Sequence, residues 1–418
     1  MTTPSTVPLS QFARGLSTET AFDVLAVAKR LKAQGKDVIE LQIGDSPFSS
    51  SSHAIDAGMK AIRDGHTHYC PSMGLMSFRE TVAANYKKEY GIAIGPENVV
   101  VGPGAKVFEQ FFCEAFLDPG DSVLVFSPAF PTYSPNIERR GGVIVTSHLK
   151  QETAFRPNLH DIEAFVKSPT AKAIFLNSPH NPTGGVATES DLKAIADLVR
   201  GKNIAIFSDE PYNHMVWTGA HHPMLAQPGI LDQTVACYTF SKSYSMSGWR
   251  LGYAISSSRI IDTIGKMINT SLSCVPPIVQ LAGEAALKND DAERDEVMQR
   301  FKKKVELLVR ELKSVDGVNV IMPAGTFYVF PNVAPICMRL GITSHGLAMY
   351  LLEAADDALG VACLGGECFG PAGKGFLRFS CAEPDERLVA AVAFLKEAVK
   401  RVDRVQAYLQ THAKYRLS

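Results

Sequence analysis

The sequence predicts an α/β protein: a large domain on a mostly parallel sheet, followed by a smaller α+β domain. Three observations carry this. Short apolar runs alternate with helical patterns through the middle of the chain, and that rhythm changes after about residue 286. The chain has 418 residues, too many for one compact core and suited to two domains.

Residues 21–34 are an amphipathic segment, expected to pack on the C-terminal domain. A strand at 99–101 runs into Gly102-Pro103-Gly104. Val107, Phe108, Phe111, Phe112, Ala115 and Phe116 then mark one face of a helix. Asp118-Pro119-Gly120-Asp121 is a turn, and 122–126 the next strand. Further strands are expected at 173–176, 204–207, 235–240 and 251–255. A helix at 188–200 opens with the capping pair Thr188 and Asp191. Strands alternating with helices imply a parallel sheet covered on both faces. Beyond it, the pattern predicts a charged helix over 289–315, strands at 318–321 and 327–330, a helix at 345–359, a strand at 376–381 and a helix over 385–408. The division expected is an N-terminal segment (1–46) packed with the small domain, a large domain (47–286) and a small domain (287–418).

Charge and composition narrow the function. Lys and Arg number 42 and Asp and Glu 43, for a net charge of −1, which makes no case for nucleic acid or an anionic membrane as partner. The C-terminal Lys400, Arg401, Arg404, Lys414 and Arg416 are interrupted by Asp403 and read as a solvated helix face. No run approaches the roughly 18 apolar residues of a membrane span. Residues 1–11 lack the charged start and apolar block of a signal peptide. The eight cysteines form no C-x-x-C pair, and Cys363 and Cys368 have no matching His pair. Reduced thiols, no metal site and a cytoplasmic location are therefore expected.

Open α/β sheets bind ligands beyond the carboxyl ends of their strands; several unusual polar residues fall at such positions, and five polar blocks read as one site. Gly104-Ala105-Lys106 opens a helix whose free N–H groups suit a phosphate, although a structural turn explains it as well. In Asn177-Ser178-Pro179-His180-Asn181-Pro182-Thr183-Gly184, Asn181 can present an amide to a ligand; a plain rigid turn is the alternative. In Ser208-Asp209-Glu210-Pro211-Tyr212, an Asp ending a buried strand needs a cationic or donor partner; a ligand's protonated ring nitrogen would serve, and a helix cap or an internal salt bridge is the alternative. The run from Thr239 to Tyr253 places Lys242 among hydroxyl residues with Arg250 eight further on. It supplies an amine for imine chemistry and a cation with hydroxyls for a phosphate. Arg378 lies in the apolar strand Phe376-Leu377-Arg378-Phe379-Ser380, where it requires an anion: a substrate carboxylate or a structural partner.

Together these blocks resemble the class I/II aminotransferases that use pyridoxal 5′-phosphate (fold type I), particularly the bacterial aspartate/aromatic branch. The resemblance runs from about residue 14 to 400. Its most specific part is Ser-Lys-x-x-x-Met-x-Gly-x-Arg-x-Gly-Tyr at 241–253, with "YCPSMG" around Tyr69 and Gly74 and "AGTFYVFPN" at 324–332 in support. The resemblance implies a Schiff base on Lys242 and ping-pong transfer of an amino group between an amino acid and a 2-oxo acid. It implies that Asp209 pairs with the pyridine nitrogen, that Asn181 and Tyr212 bind the ring oxygen, and that Phe130 stacks on the ring, where relatives often have Trp or Tyr. Gly104, Ala105, Lys106, Thr239, Ser241 and Arg250 would form the phosphate cradle. Gly44, Asn181 and Arg378 would hold the substrate carboxylate. Tyr69 would reach the neighbouring subunit's phosphate, which implies a homodimer with shared sites.

One departure concerns the substrate. A Lys that reads the side chain in the nearest branch corresponds to Glu114 here. An anion there would disfavour dicarboxylates, so neutral or aromatic donors are expected to outperform aspartate. A β-lyase on the same fold shares every motif. A non-catalytic binding or regulatory protein is the alternative of another class, and joint retention of Lys242, Asp209, Arg250 and Arg378 argues against it.

Overall fold

The computed structural model describes residues 7–16 and 19–417. Twelve strands form three sheets among the described residues. They are β1 (Asp37–Glu40), β2 (Val99–Gly102), β3 (Ser122–Ser127), β4 (Val143–His148), β5 (Ala171–Asn177), β6 (Ala205–Asp209), β7 (Thr234–Thr239), β8 (Gly252–Ile255), β9 (Tyr328–Val329), β10 (Leu359–Ala362), β11 (Leu364–Gly365) and β12 (Leu377–Ser380).

Seven strands form the large sheet, in the order β2-β8-β7-β6-β5-β3-β4. From β7 to β4 every pairing is parallel. β8 is antiparallel to both β2 and β7, so this edge departs from the parallel pattern. No α-helix intervenes between β7 and β8; the connection is the loop that carries Lys242, with one short 3-10 turn at Ser247–Trp249. Every residue of β2, β3, β6 and β8 is buried, as expected of strands covered on both faces. The period of two then divides them between two cores. Val123, Val125 and Phe175 pack on the side of Phe108, Phe111 and Phe112, while Leu124, Phe126 and Ile174 face the opposite core. The predicted helix face is thus the buried face of the helix Lys106–Phe116. Thr188 caps the helix Glu189–Val199 in a capping box with Asp191, as its sequence spacing predicts.

The N-terminal segment joins the C-terminal part of the chain through its backbone. β1 pairs in parallel with β10, and Lys36 donates to the carbonyls of Glu353 and Asp356. Helix Thr20–Ala33 adds an ion pair from Arg30 to Glu353. Several expected elements differ. Residues 318–321 make only an isolated bridge from Asn319 to Asn332, too little pairing for a strand. The helix expected over 345–359 spans Ser344–Glu353, because the next apolar stretch is β10. The helix expected over 385–408 is two, Asp385–Ala398 and Val402–Thr411, broken at residues 399–401. The helix expected from 289 is Asp291–Leu312, since Asn289 ends the helix Pro277–Asn289.

Phe112 lies at the centre of an aromatic cluster, with ring centroids 4.9 Å from Phe116, 5.4 Å from Phe175 and 5.3 Å from Phe207. Phe112→Ala is expected to lower stability by about 3–5 kcal/mol, from lost burial and the cavity left behind. Urea unfolding of the purified variant checks this, and a loss below about 1 kcal/mol contradicts the packing described.

Candidate active site

The sheet register lines up the ends of five neighbouring strands, β5, β6, β7, β8 and β2. Asn177 pairs with Asp209, Asp209 with Cys237, Thr239 with Gly252, and Gly252 with Gly102. A cavity of about 490 Å³ opens at this row. Of the residues singled out in the sequence, Gly44, Ala105, Lys106, Phe130, Asn181, Asp209, Tyr212, Thr239, Ser241, Lys242, Arg250 and Arg378 line it. Gly104 lies at its edge, against the Arg250 guanidinium. Tyr69 does not line it: its side chain is 88% exposed, on a different part of the surface.

Lys242 follows β7 and reaches back to the N-terminal segment. Its Nζ donates to the Gly44 carbonyl at 2.5 Å and lies 5.8 Å from the Tyr212 ring centroid and 5.6 Å from that of Phe327. Gly44 has a steric reason to lack a side chain. A Cβ there would fall 1.7 Å from the Tyr328 hydroxyl oxygen, which lies 3.2 Å from that of Tyr212. Burial, and then Tyr328, push the Tyr212 hydroxyl well above its ordinary pKa, so it remains a donor.

Asp209 is buried at the end of β6. The hydroxyl of Tyr133 donates to Oδ2 at 2.5 Å, and the Cys237 thiol donates to Oδ1 at 3.4 Å. Burial raises its pKa to about 6, against the opposing effect of these two hydrogen bonds. Among the described residues it has no ion-pair partner. Next to it, Glu210 is fully satisfied by Ser208, Met224 N–H, Tyr238 and His221. The adjacent acids thus have different surroundings: Glu210 is tied into the fold and Asp209 faces the cavity.

Arg378 is 4% exposed. Nη1 donates to Asn181 Oδ1 at 3.0 Å and Nη2 to the Gln42 carbonyl at 2.6 Å, while Nε has no partner. Its guanidinium carbon lies 4.3 Å from the Tyr328 ring centroid and 4.9 Å from that of Phe369. Aromatic faces and neutral acceptors offset part of the burial cost, but no acid among the described residues pairs with it.

At the other side of the Lys242 loop, no side chain caps the helix Lys106–Phe116. A Cβ on Gly104 would fall 2.6 Å from Arg250 Nη2. Thr239 and Ser241 hydroxyls lie 2.9 Å apart. Uncapped N–H groups, a guanidinium and two hydroxyls suit a phosphate. Ser245 and Arg250 hold this loop in the left-handed region at φ 53° and 56°, strain of about 1–2 kcal/mol per residue that concentrates at functional segments. An anion cradle, a free amine and a buried acid without a cation together fit pyridoxal phosphate.

Three lining residues, Tyr328, Glu109 and Glu19, and one behind the cavity, Tyr133, were not anticipated. Tyr133 stands three residues after Phe130 in "SPAFPTY", and Tyr328 lies in "AGTFYVFPN"; both could have been marked as polar aromatics inside quoted motifs. Glu109 and Glu19 carried no periodic signal. Glu109 is buried, accepts from Thr132 at 2.6 Å, and has a pKa pushed up by burial and then by Asp209. Glu19 ion-pairs with Lys106, whose ammonium also lies 5.3 Å from the Phe130 ring centroid. That side chain thus turns away from the phosphate cradle, to which Lys106 can contribute only backbone. Glu114, expected near the substrate side chain, is not in the cavity. It accepts from Gln110 one turn earlier on its helix, so the charge reasoning built on it falls.

Residues 36–394 match the family described as aminotransferase class I and II. The chain is 36% identical over 383 residues to a probable aspartate/prephenate aminotransferase of Aquifex aeolicus, covering 91% of this chain and 95% of that one. It is 33% identical over 368 residues to an aspartate aminotransferase of Pyrococcus horikoshii, covering 87% and 91%. Its fold is similar to the solved structure of aspartate aminotransferase from Thermus thermophilus with maleate, with a TM-score of 0.88, 30% identity, and 94% and 100% of the two chains covered. The chain belongs to the class I and II aminotransferase family and is a pyridoxal 5′-phosphate-dependent aminotransferase acting on amino acid and 2-oxo acid substrates.

Proposed function

We propose that this aminotransferase takes a dicarboxylic amino acid of the aspartate type as one substrate, with Arg378 gripping the α-carboxylate and Lys106 facing the second one. The observation that carries this is the inventory of cations. Lys106, Lys242, Arg250 and Arg378 line the cavity. Lys242 is the amine after β7, Arg250 belongs to the anion cradle, and Arg378 has a free buried N–H. Lys106 is the cation left for a substrate side chain. Aspartate in the names of the Aquifex and Pyrococcus relatives, and maleate, a dicarboxylate, in that of the Thermus structure, support the same reading.

The residues divide the work. Gly104, Ala105, the Lys106 backbone, Thr239, Ser241 and Arg250 hold the phosphate; Phe130 covers the ring; Asn181 and Tyr212 bind its oxygen. The cofactor, when bound, supplies the electron sink that makes the substrate Cα acidic. Asp209 keeps a proton on the ring nitrogen, its carboxylate buried and oriented by Tyr133. Lys242 Nζ is the covalent anchor and then the base that accepts the Cα proton. Before substrate arrives, the Gly44 carbonyl orients this amine. Arg378, held by Asn181 and Gln42, fixes the α-carboxylate and so the direction of the Cα–H bond. The division into segment 1–46, large domain 47–286 and small domain 287–418 places residues from all three parts around the cavity. We also propose a homodimer, in which exposed Tyr69 serves the partner's site.

Asp209 gives a test with a definite sign. Its folded pKa lies above the ordinary carboxylate value, so ionisation costs the cofactor-free fold stability, a cost that sets in as pH rises from about 4 through 6. Cofactor-free Asp209→Asn protein should therefore be more stable than cofactor-free wild type at pH 7.5, by on the order of 3 kcal/mol, with no advantage below pH 4. The same variant should lose at least about a hundredfold in single-turnover rate. Denaturant unfolding across pH and rapid kinetics measure the two effects; equal stability at pH 7.5 together with an unchanged rate would contradict the assignment.

Subunit mixing tests Tyr69. Lys242→Ala protein should be inactive, and mixing it with Tyr69→Ala protein should restore activity in heterodimers beyond the residue left in Tyr69→Ala alone. Verified heterodimers without such rescue would show that Tyr69 does not serve a neighbouring site.

A further inference from the structure

We propose that Glu19 sets the side-chain preference of this site by competing with the substrate for Lys106. The inference rests on the reading of Lys106 given above. Glu19 immediately precedes the helix Thr20–Ala33, and residues 19–22 form part of the cavity lining. Its carboxylate ion-pairs with Lys106 Nζ inside the cavity. The Glu19 side chain is 16% exposed and that of Lys106 47%. Earlier in the chain, Phe12 lies under the Arg139 guanidinium at 5.1 Å, a second contact to the large sheet's covering helices.

The pair changes what Lys106 offers. While it is closed, the ammonium already has a carboxylate and the face of Phe130, and this part of the cavity presents a neutralised pair beside an aromatic ring. An uncharged or aromatic side chain fits that surface without separating charges. A dicarboxylic substrate brings a second carboxylate, which meets Lys106 only by displacing Glu19; otherwise two anions face each other, with Glu109 a third acid nearby. An ion pair with one partner half-exposed is weakly held, so substrate binding can open it. One cavity can thus serve both halves of a ping-pong cycle, with the pair closed over a neutral substrate and opened by a dicarboxylic one. Glu19 is a specificity-determining residue in this account: it acts through Lys106 and takes no part in the chemistry.

The test is single-turnover kinetics with aspartate and phenylalanine on holoenzyme of wild type, Glu19→Gln, Lys106→Gln and the double variant. Glu19→Gln should raise the aspartate-to-phenylalanine ratio of kcat/KM about fivefold, the scale on which a partly exposed ion pair resists opening. The same change on the Lys106→Gln background should leave the ratio where it was, since no cation remains to be freed. A rise on both backgrounds would mean that Glu19 acts only as a distant charge, and overturns the proposal. An unchanged or lower ratio in Glu19→Gln, with a lower one in Lys106→Gln, overturns it while leaving Lys106 as the side-chain reader. An unchanged ratio in Lys106→Gln removes that reading and the proposal with it.

Discussion

Two buried charges without ionic partners dominate this structure. Asp209 and Arg378 are 6% and 4% exposed, and each has only neutral hydrogen-bond partners. Burying an uncompensated charge is among the most expensive things a fold can do. The rise of Asp209 to about pKa 6 is that cost made visible. Here the cost is borne at the carboxyl ends of the strands and around the Lys242 loop, where left-handed Ser245 and Arg250 add strain. On the reading proposed above, a cationic ring nitrogen and a substrate carboxylate would supply their counter-charges. Binding them relieves the folded state and orients the reacting atoms at once.

The polypeptide builds this cavity from distant pieces. β6 delivers Asp209, the loop after β7 delivers Lys242, β12 delivers Arg378, and the segment before β1 delivers Glu19. The Lys242 ammonium touches Gly44, 198 residues away, and Arg378 touches the Gln42 carbonyl, 336 residues away. The β1–β10 pairing fixes the N-terminal segment on the C-terminal part, so Gly44 and Arg378 approach from the same side. A shift between these parts would alter the grip on a substrate carboxylate without disturbing Asp209.

Much of this was legible in the sequence because the chemistry is local there. Lys242, with its hydroxyl neighbours and Arg250, is one continuous block, and Asp209 and Asn181 end runs of buried β-residues. The parallel sheet followed from apolar runs alternating with helical spacing. The reversal of β8 was not legible, since a short buried strand reads the same in either direction. Residues 318–321 looked like a strand but pair only at Asn319, an isolated bridge to Asn332. Charge at the substrate side chain was hidden for another reason. Glu114 and Glu109 lie on one helix, five residues apart, and their rotation about its axis and height along it decide which reaches the cavity. The Lys106–Glu19 pair joins positions 87 apart and leaves no periodic trace.

The central claim is that the amine after β7 anchors the cofactor. Two lysines, Lys242 and Lys106, line the cavity among the described residues. Borohydride reduction of the holoenzyme, followed by proteolysis and peptide mass spectrometry, distinguishes them directly. The account predicts one phosphopyridoxyl group per chain, on Lys242. A modification mapped to Lys106, or to any lysine outside the cavity, would contradict it.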